Sequence, residues 1–332
     1  MTARILVPLD GSAFSARALP TAAAVAAQRG AVLHLLAAHA PLVVPLQLPD
    51  APAYDPAFDL ARRDALQRAL TALAERLRTE CGVDATAEVV DGQPVDVLAA
   101  AAGDGVELVV MTTHGRGGVA RAWLGSVADA LVRRAPVPLL LIRPAPDAPV
   151  EAGDASGEGA FGVVDPAGAP VCAEGDAGRF RRVLVPLDGS PLAEEILEPA
   201  LALGRPGETT FELLRVVQVP ATALPPDETF WTAREAAAQQ VERASAMAYL
   251  DRWAARLREG GHAVTTAVAV DHDPARAILR EAAARHADLI ALSTNARGGL
   301  ARLRLGSVAD KLVRGAHCPT LVARPRGPAP RA

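Results

Sequence analysis

Apolar positions along the chain fall into two alternating kinds of run. Ile5–Leu9 is continuously apolar and stops at Asp10-Gly11, the pattern of a strand buried on both faces. Residues 13–28 are rich in alanine and predict a helix closed by Gly30. Val32–Ala37 predicts a second strand. After a proline-rich stretch, Pro56–Glu80 predicts a long amphipathic helix, with Leu60, Leu66, Leu70, Leu73 and Leu77 as its apolar stripe. Ala85–Val90 reads as a third strand, and Pro94 stands at the first turn of a helix that runs from about Val95 to Ala102. Leu108–Met111, Ser126–Arg134 and Pro138–Ile142 then predict strand, helix and strand. Such alternation means a parallel sheet covered by helices on both faces. Ligands of these sheets sit at the carboxyl ends of the strands, where the strand order reverses.

The pattern occurs twice. RILVPLDGS at Arg4–Ser12 returns as RVLVPLDGS at Arg182–Ser190. Val119–Pro144 aligns without gaps on Leu300–Pro325, with 16 of 26 positions identical. The offset is 178 between Asp10 and Asp188 and 181 between Gly125 and Gly306, so the second copy is longer inside by three residues. Two similar domains follow, at residues 1–144 and 179–326. Residues 145–178 are dense in Gly, Pro, Ala and Asp and predict a linker. The expected fold is α/β: two tandem five-stranded parallel open sheets with helices on both faces.

Composition narrows the function. The net charge of -4 and an aromatic content of 3% argue against a nucleic-acid partner. No apolar run approaches the ~18 residues of a membrane span. The opening MTARILVPLDGS is too short in its apolar part for a signal peptide. These features predict a soluble cytoplasmic protein with no membrane partner. Cys81, Cys172 and Cys318 form no C-x-x-C and predict unpaired thiols in a reducing compartment.

Candidate chemistry lies in Thr112–Arg134, TTHGRGGVARAWLGSVADALVRR, and its near-copy from Ser293, STNARGGLARLRLGSVADKLVRG. A phosphate needs inward backbone N–H groups, room for close approach and a helix N-terminus. Gly115, Gly117 and Gly118 supply room, Arg116 supplies charge, and Gly125-Ser126 opens a helix. Ser126 serves either as the helix N-cap or as a hydroxyl for a ligand oxygen. Asp10 stands where it can accept from a base or ribose. Neither a P-loop nor a dinucleotide G-x-G-x-x-G is present.

VPLDGS, THGRGG and LGSVAD, in that order and twice over in related form, resemble the universal stress protein family. The resemblance covers nearly all of the chain outside residues 145–178. It implies an adenine-nucleotide-binding type of α/β fold whose fifth strands mediate self-association, within the chain or as a homodimer. ATP-binding members carry G-x2-G-x9-G-[ST], which falls on Thr112, Gly115, Gly125 and Ser126 in the first copy. In the second copy it falls on Ser293, Ala296, Gly306 and Ser307. The family's adenine-contacting aspartate falls on Asp10 and Asp188. The resemblance thus implies an ATP site, with or without magnesium, at Pro8, Leu9, Asp10, Met111, Thr112, Gly115, Arg116, Gly125, Ser126 and Val127. A weaker one falls on Asp188, Ser293, Arg297, Gly306 and Ser307. Thr112 would be strained at positive φ, by ~1–3 kcal/mol. With Ala296 in place of glycine, the first copy is expected to bind ATP and the second to bind it weakly or not at all. The expected function is nucleotide-dependent regulation in a stress response, with an unidentified protein partner and no catalysis. A nucleotide-free scaffold and a slow ATPase or nucleotidyl-transfer enzyme are the alternatives.

Overall fold

The computed structural model describes residues 2–40, 56–113, 124–143, 168, 170–173, 175–219, 233–294 and 306–325. The chain divides into two compact units, residues 1–178 and 179–332. We call them repeat 1 and repeat 2.

Repeat 1 contains β1 (Arg4–Pro8), α1 (Ala13–Ala16), α2 (Leu19–Arg29), β2 (Val32–His39), α3 (Pro56–Cys81), β3 (Ala85–Asp91), α4 (Pro94–Ala101), β4 (Val106–Thr112), α5 (Ser126–Arg134) and β5 (Leu139–Ile142). Its sheet is parallel with strand order β3-β2-β1-β4-β5. The order reverses between β1 and β4, which places the end of β1 beside the end of β4. Ile5, Leu6, Leu33, Leu35 and Leu108 are buried in its core.

Repeat 2 follows the same plan: β6 (Arg182–Pro186), α6 (Pro191–Glu194), α7 (Leu197–Leu203), β7 (Thr210–Gln218), α8 (Ala233–Glu259), β8 (Ala263–Asp271), α9 (Pro274–Ala284), β9 (Leu289–Ser293), α10 (Ser307–Gly315) and β10 (Thr320–Ala323). Its strands run parallel in the order β8-β7-β6-β9-β10. The registers match across the repeats, Pro8 facing Leu36 and Pro186 facing Leu214. Ala37 of repeat 1 is therefore the counterpart of Arg215, and His39 that of Val217.

Three expectations are corrected. The helix foreseen over residues 13–28 is two helices, α1 and α2, separated at Arg17 and Ala18. Pro20 fits the break, since it has no N–H for the carbonyl of Ala16 and its ring would strike that carbonyl. In α3, Leu66, Leu70, Leu73 and Leu77 are buried, whereas Leu60 is 58% exposed and Asp59 is buried. Six residues turn a helix by about 600°, which carries Leu60 well off the stripe, while Asp59, seven before Leu66, returns to it. Finally, Cys81 and Cys172 are joined in a disulfide across 91 positions. Only Cys318 is a free thiol, and it is buried. Cysteine spacing along the chain said nothing of the approach between the end of α3 and residue 172.

Candidate nucleotide site

In repeat 1 the N–H of Leu9 donates to the carbonyl of Leu36 at 2.9 Å and carries the pairing past β1. The chain then turns at Gly11, whose φ of +77° favours glycine. Asp10 Oδ1 accepts from the N–H of Ser12 at 2.9 Å and from its hydroxyl at 2.5 Å. Ser12 Oγ in turn accepts from the N–H of Ser15 and caps α1. The aspartate at the end of β1 is thus held by the turn it starts.

The end of β4 lies alongside. Met111, Thr112 and Thr113 are buried. The N–H of Thr113 donates to Ile142 at 3.1 Å, and the carbonyl of Thr113 accepts from the N–H of Gly125 at 2.7 Å. The loop after β4 therefore leaves and returns at one hydrogen-bonded pair, and α5 begins there. Gly125 is the N-cap, with φ of -59°, and Ser126 and Val127 are the first helical residues. Ser126 is exposed and is not the cap, which removes one of its two expected roles. Among the described residues other than glycine only His286 has positive φ, so Thr112 carries none of the strain anticipated for it. Gly115 and Arg116, with Ala296 and Arg297 of the second copy, lie outside the described residues.

Repeat 2 repeats the arrangement. Asp188 Oδ1 accepts from the N–H of Ser190 at 2.9 Å, Gly189 has φ of +82°, and Ser190 caps α6. Gly306 is the N-cap of α10, whose first residue is Ser307. Between these two ends lies a cavity of about 780 Å³. It runs from Asp188 along Leu214–Gln218 of β7, past Ser293, to Gly306–Ala309 at the start of α10. Ser293 Oγ is buried and has no hydrogen-bond partner. The structure thus brings together Asp188, Ser293, Gly306 and Ser307 around one space.

The sequence motifs missed a cluster at the edge of that cavity. Arg215 lines it and stacks over the Tyr249 ring at 5.3 Å. Tyr249 donates from its hydroxyl to Glu194 Oε1 at 2.8 Å, and Trp253 Nε1 donates to the same oxygen at 2.9 Å. Burial, followed by the bond to Glu194, pushes the Tyr249 phenol well above its usual range. Setting β2 beside β7 would have exposed the difference, since Ala37 stands where Arg215 does. No group of three or more His, Cys, Asp or Glu side chains converges as a metal site among the described residues. No helix among them is long and apolar enough to cross a membrane.

Comparison with known proteins agrees with this plan. The model of the universal stress protein family matches residues 1–143 and 179–324. A universal stress protein of Mycobacterium tuberculosis, Rv2005c, is 28% identical over 326 residues, 96% of each chain. A universal stress protein of Thermus aquaticus is 36% identical over 140 residues, 42% of this chain and 97% of its own. Among solved structures, a universal stress protein from Archaeoglobus fulgidus superposes over 97% of this chain and 96% of its own, with a TM-score of 0.64 at 18% identity. The chain belongs to the universal stress protein family and carries two copies of its domain in tandem.

Proposed function

We propose that this protein binds adenine nucleotides, ATP foremost, and works as a nucleotide-dependent regulator in a stress response rather than as a catalyst. The observation that carries the reading is the cavity of repeat 2. Its volume of about 780 Å³ suits a small-molecule ligand. An aspartate stands at one end and the N-terminus of a nine-residue helix at the other. Open N–H groups and the positive end of the helix dipole favour phosphate there. The buried Ser293 hydroxyl offers a donor and an acceptor to whatever enters. Repeat 2 is on this view a second site and not a relic. Repeat 1, which keeps Gly115 and has no strain at Thr112, is the tighter of the two.

Calorimetric titration of nucleotide-stripped protein with ATP and magnesium tests this. Gly115→Trp fills the loop of repeat 1, and Ser293→Tyr fills the cavity of repeat 2. Two binding events are expected, one lost in each variant. A single event lost only in Gly115→Trp leaves repeat 2 empty. No heat in any of the three proteins, with an unchanged melting temperature, means a scaffold. Sustained phosphate release under the same conditions would instead mean an ATPase.

The same reading places the protein in the cytoplasm, self-associating through its fifth strands and signalling to a protein partner. Sedimentation with and without ATP tests the association.

A further inference from the structure

Cys81 and Cys172 carry an inference that is independent of nucleotide binding. Cys81 is the last residue of α3. Cys172 lies in the stretch of Gly, Pro, Ala and Asp between the repeats, where few large apolar side chains are available to hold the chain down. Yet the described end of that stretch is fixed on repeat 1. Val171 is 1% exposed, and Cys172 is bonded to Cys81. Gly178, at φ +74°, lies so close to Thr21 and Ala24 that a Cβ there would strike the Ala24 methyl. Neither cysteine belongs to the buried sheet, and both are only half-buried. Cys318 is different: it is buried, and burial pushes its thiol up to about 12, so it stays protonated and inert.

We propose that Cys81 and Cys172 form a reversible thiol–disulfide modification site, opened by low-molecular-weight thiols, that fastens residues 170–178 to repeat 1. An external thiolate attacks one sulfur of the pair, the S–S bond breaks, and the other cysteine leaves as a thiolate that takes a proton. A second thiol attacks the external sulfur of the mixed disulfide and releases the remaining cysteine. In net, the protein disulfide and two thiols give two cysteine thiols and one small-molecule disulfide. This rests on the cytoplasmic location proposed above: disulfides inside reducing compartments are commonly transient and redox-sensing, which suits a bond outside the core. Reduction then frees the segment while β1–β5 stay folded.

The experiment uses the full chain, equilibrated in mixtures of reduced and oxidised glutathione, then alkylated, weighed by mass spectrometry and probed by limited proteolysis. In millimolar reduced glutathione, two alkyl labels are expected, on Cys81 and Cys172, and none on Cys318. Cleavage within residues 170–178 should rise about tenfold, as expected when a tethered segment is released to local opening. Cys172→Ser under oxidising conditions should cleave as fast as the reduced wild type, and Cys318→Ser as slowly as the oxidised one. The proposal is overturned if the disulfide survives millimolar glutathione, which marks a permanent structural bond. It is also overturned if the reduced protein cleaves no faster, or if reduction abolishes the cooperative melting of repeat 1. Should Cys172→Ser fail to fold, reduction of the wild type still decides between these outcomes.

Discussion

Arg215 lies directly against Gly189, and its guanidinium occupies the space that a Cβ on Gly189 would need. The glycine also has φ of +82°, in the region that side chains avoid. Two effects therefore act on one position. Gly189→Ala is expected to destabilise repeat 2 by about 1–3 kcal/mol, from left-handed strain plus displacement of Arg215. Adding Arg215→Ala should recover the steric part and leave the backbone part. A double-mutant cycle from urea melts separates them. Equal losses with and without the arginine would show that Arg215 can move aside freely.

Asp271, at the end of β8, is buried, and burial alone would raise its pKa. The N–H of Asp273 and the guanidiniums of Arg276 and Arg280 outweigh burial and hold it at about 2. In the unfolded chain the same group titrates near 3.8. The unfolded state thus binds more protons between these values, so the contribution is present above pH 4 and lost as pH falls toward 2. Both arginines are more than half exposed, so solvent trims the gain to on the order of 1–2 kcal/mol. Asp271→Asn should flatten the acid limb of stability in that window. Parallel curves for the two proteins would remove the ion cluster from the account.

His39 and Asp59 form a buried pair in repeat 1, with Nε2 and Oδ2 3.1 Å apart. Arg62 joins them, at 3.3 Å from Asp59 Oδ1 and 2.6 Å from the carbonyl of Ala40. His39 Nδ1 and Arg62 Nε have no partner although both are buried. Asp59→Ala would orphan more of these groups and is expected to cost about 2–4 kcal/mol. Repeat 2 has Val217 in the place of His39. The triple change His39→Val, Asp59→Leu and Arg62→Leu should therefore recover at least half of that loss in thermal melts, because the polar trio leaves together. A triple variant weaker than Asp59→Ala would mean the trio contributes net stability.

How far the sequence could be read depended on the range of the interactions involved. The strands and helices of both repeats were legible because a buried parallel strand is a continuous apolar run, and the first such run ends at the turn Asp10-Gly11. Pro20 was equally local, but the alanines around it masked its effect on the helix. Leu60 is apolar yet out of phase with the stripe of α3, so apolar content alone misplaces it. The bond from Cys81 to Cys172 and the packing of Arg215 on Gly189 join residues far apart in the chain, and no local pattern encodes them. Around the cavity of repeat 2, Asp188, Ser293, Gly306 and Ser307 stand in sequence motifs, whereas Arg215, Tyr249 and Glu194 do not. That cluster belongs to repeat 2 alone and to no motif.

Tyr249 gives that cluster a measurable signature. Its phenol donates to Glu194, and burial together with that carboxylate raises its pKa above the usual 10. Between pH 10 and the folded value, the unfolded chain has released the proton and the folded chain still holds it. Stability therefore is full below pH 10 and falls as pH rises beyond it. Tyr249→Phe removes the donor but leaves Trp253 on the same oxygen, so at neutral pH it should cost only about 1–2 kcal/mol. It should also flatten the alkaline decline. Urea midpoints from pH 8 to 11 for the wild type and Tyr249→Phe would show the two curves converging at the alkaline end. If the wild type is no steeper than the variant there, the phenol is not held protonated by folding, and the bond to Glu194 does not anchor α8 to α6.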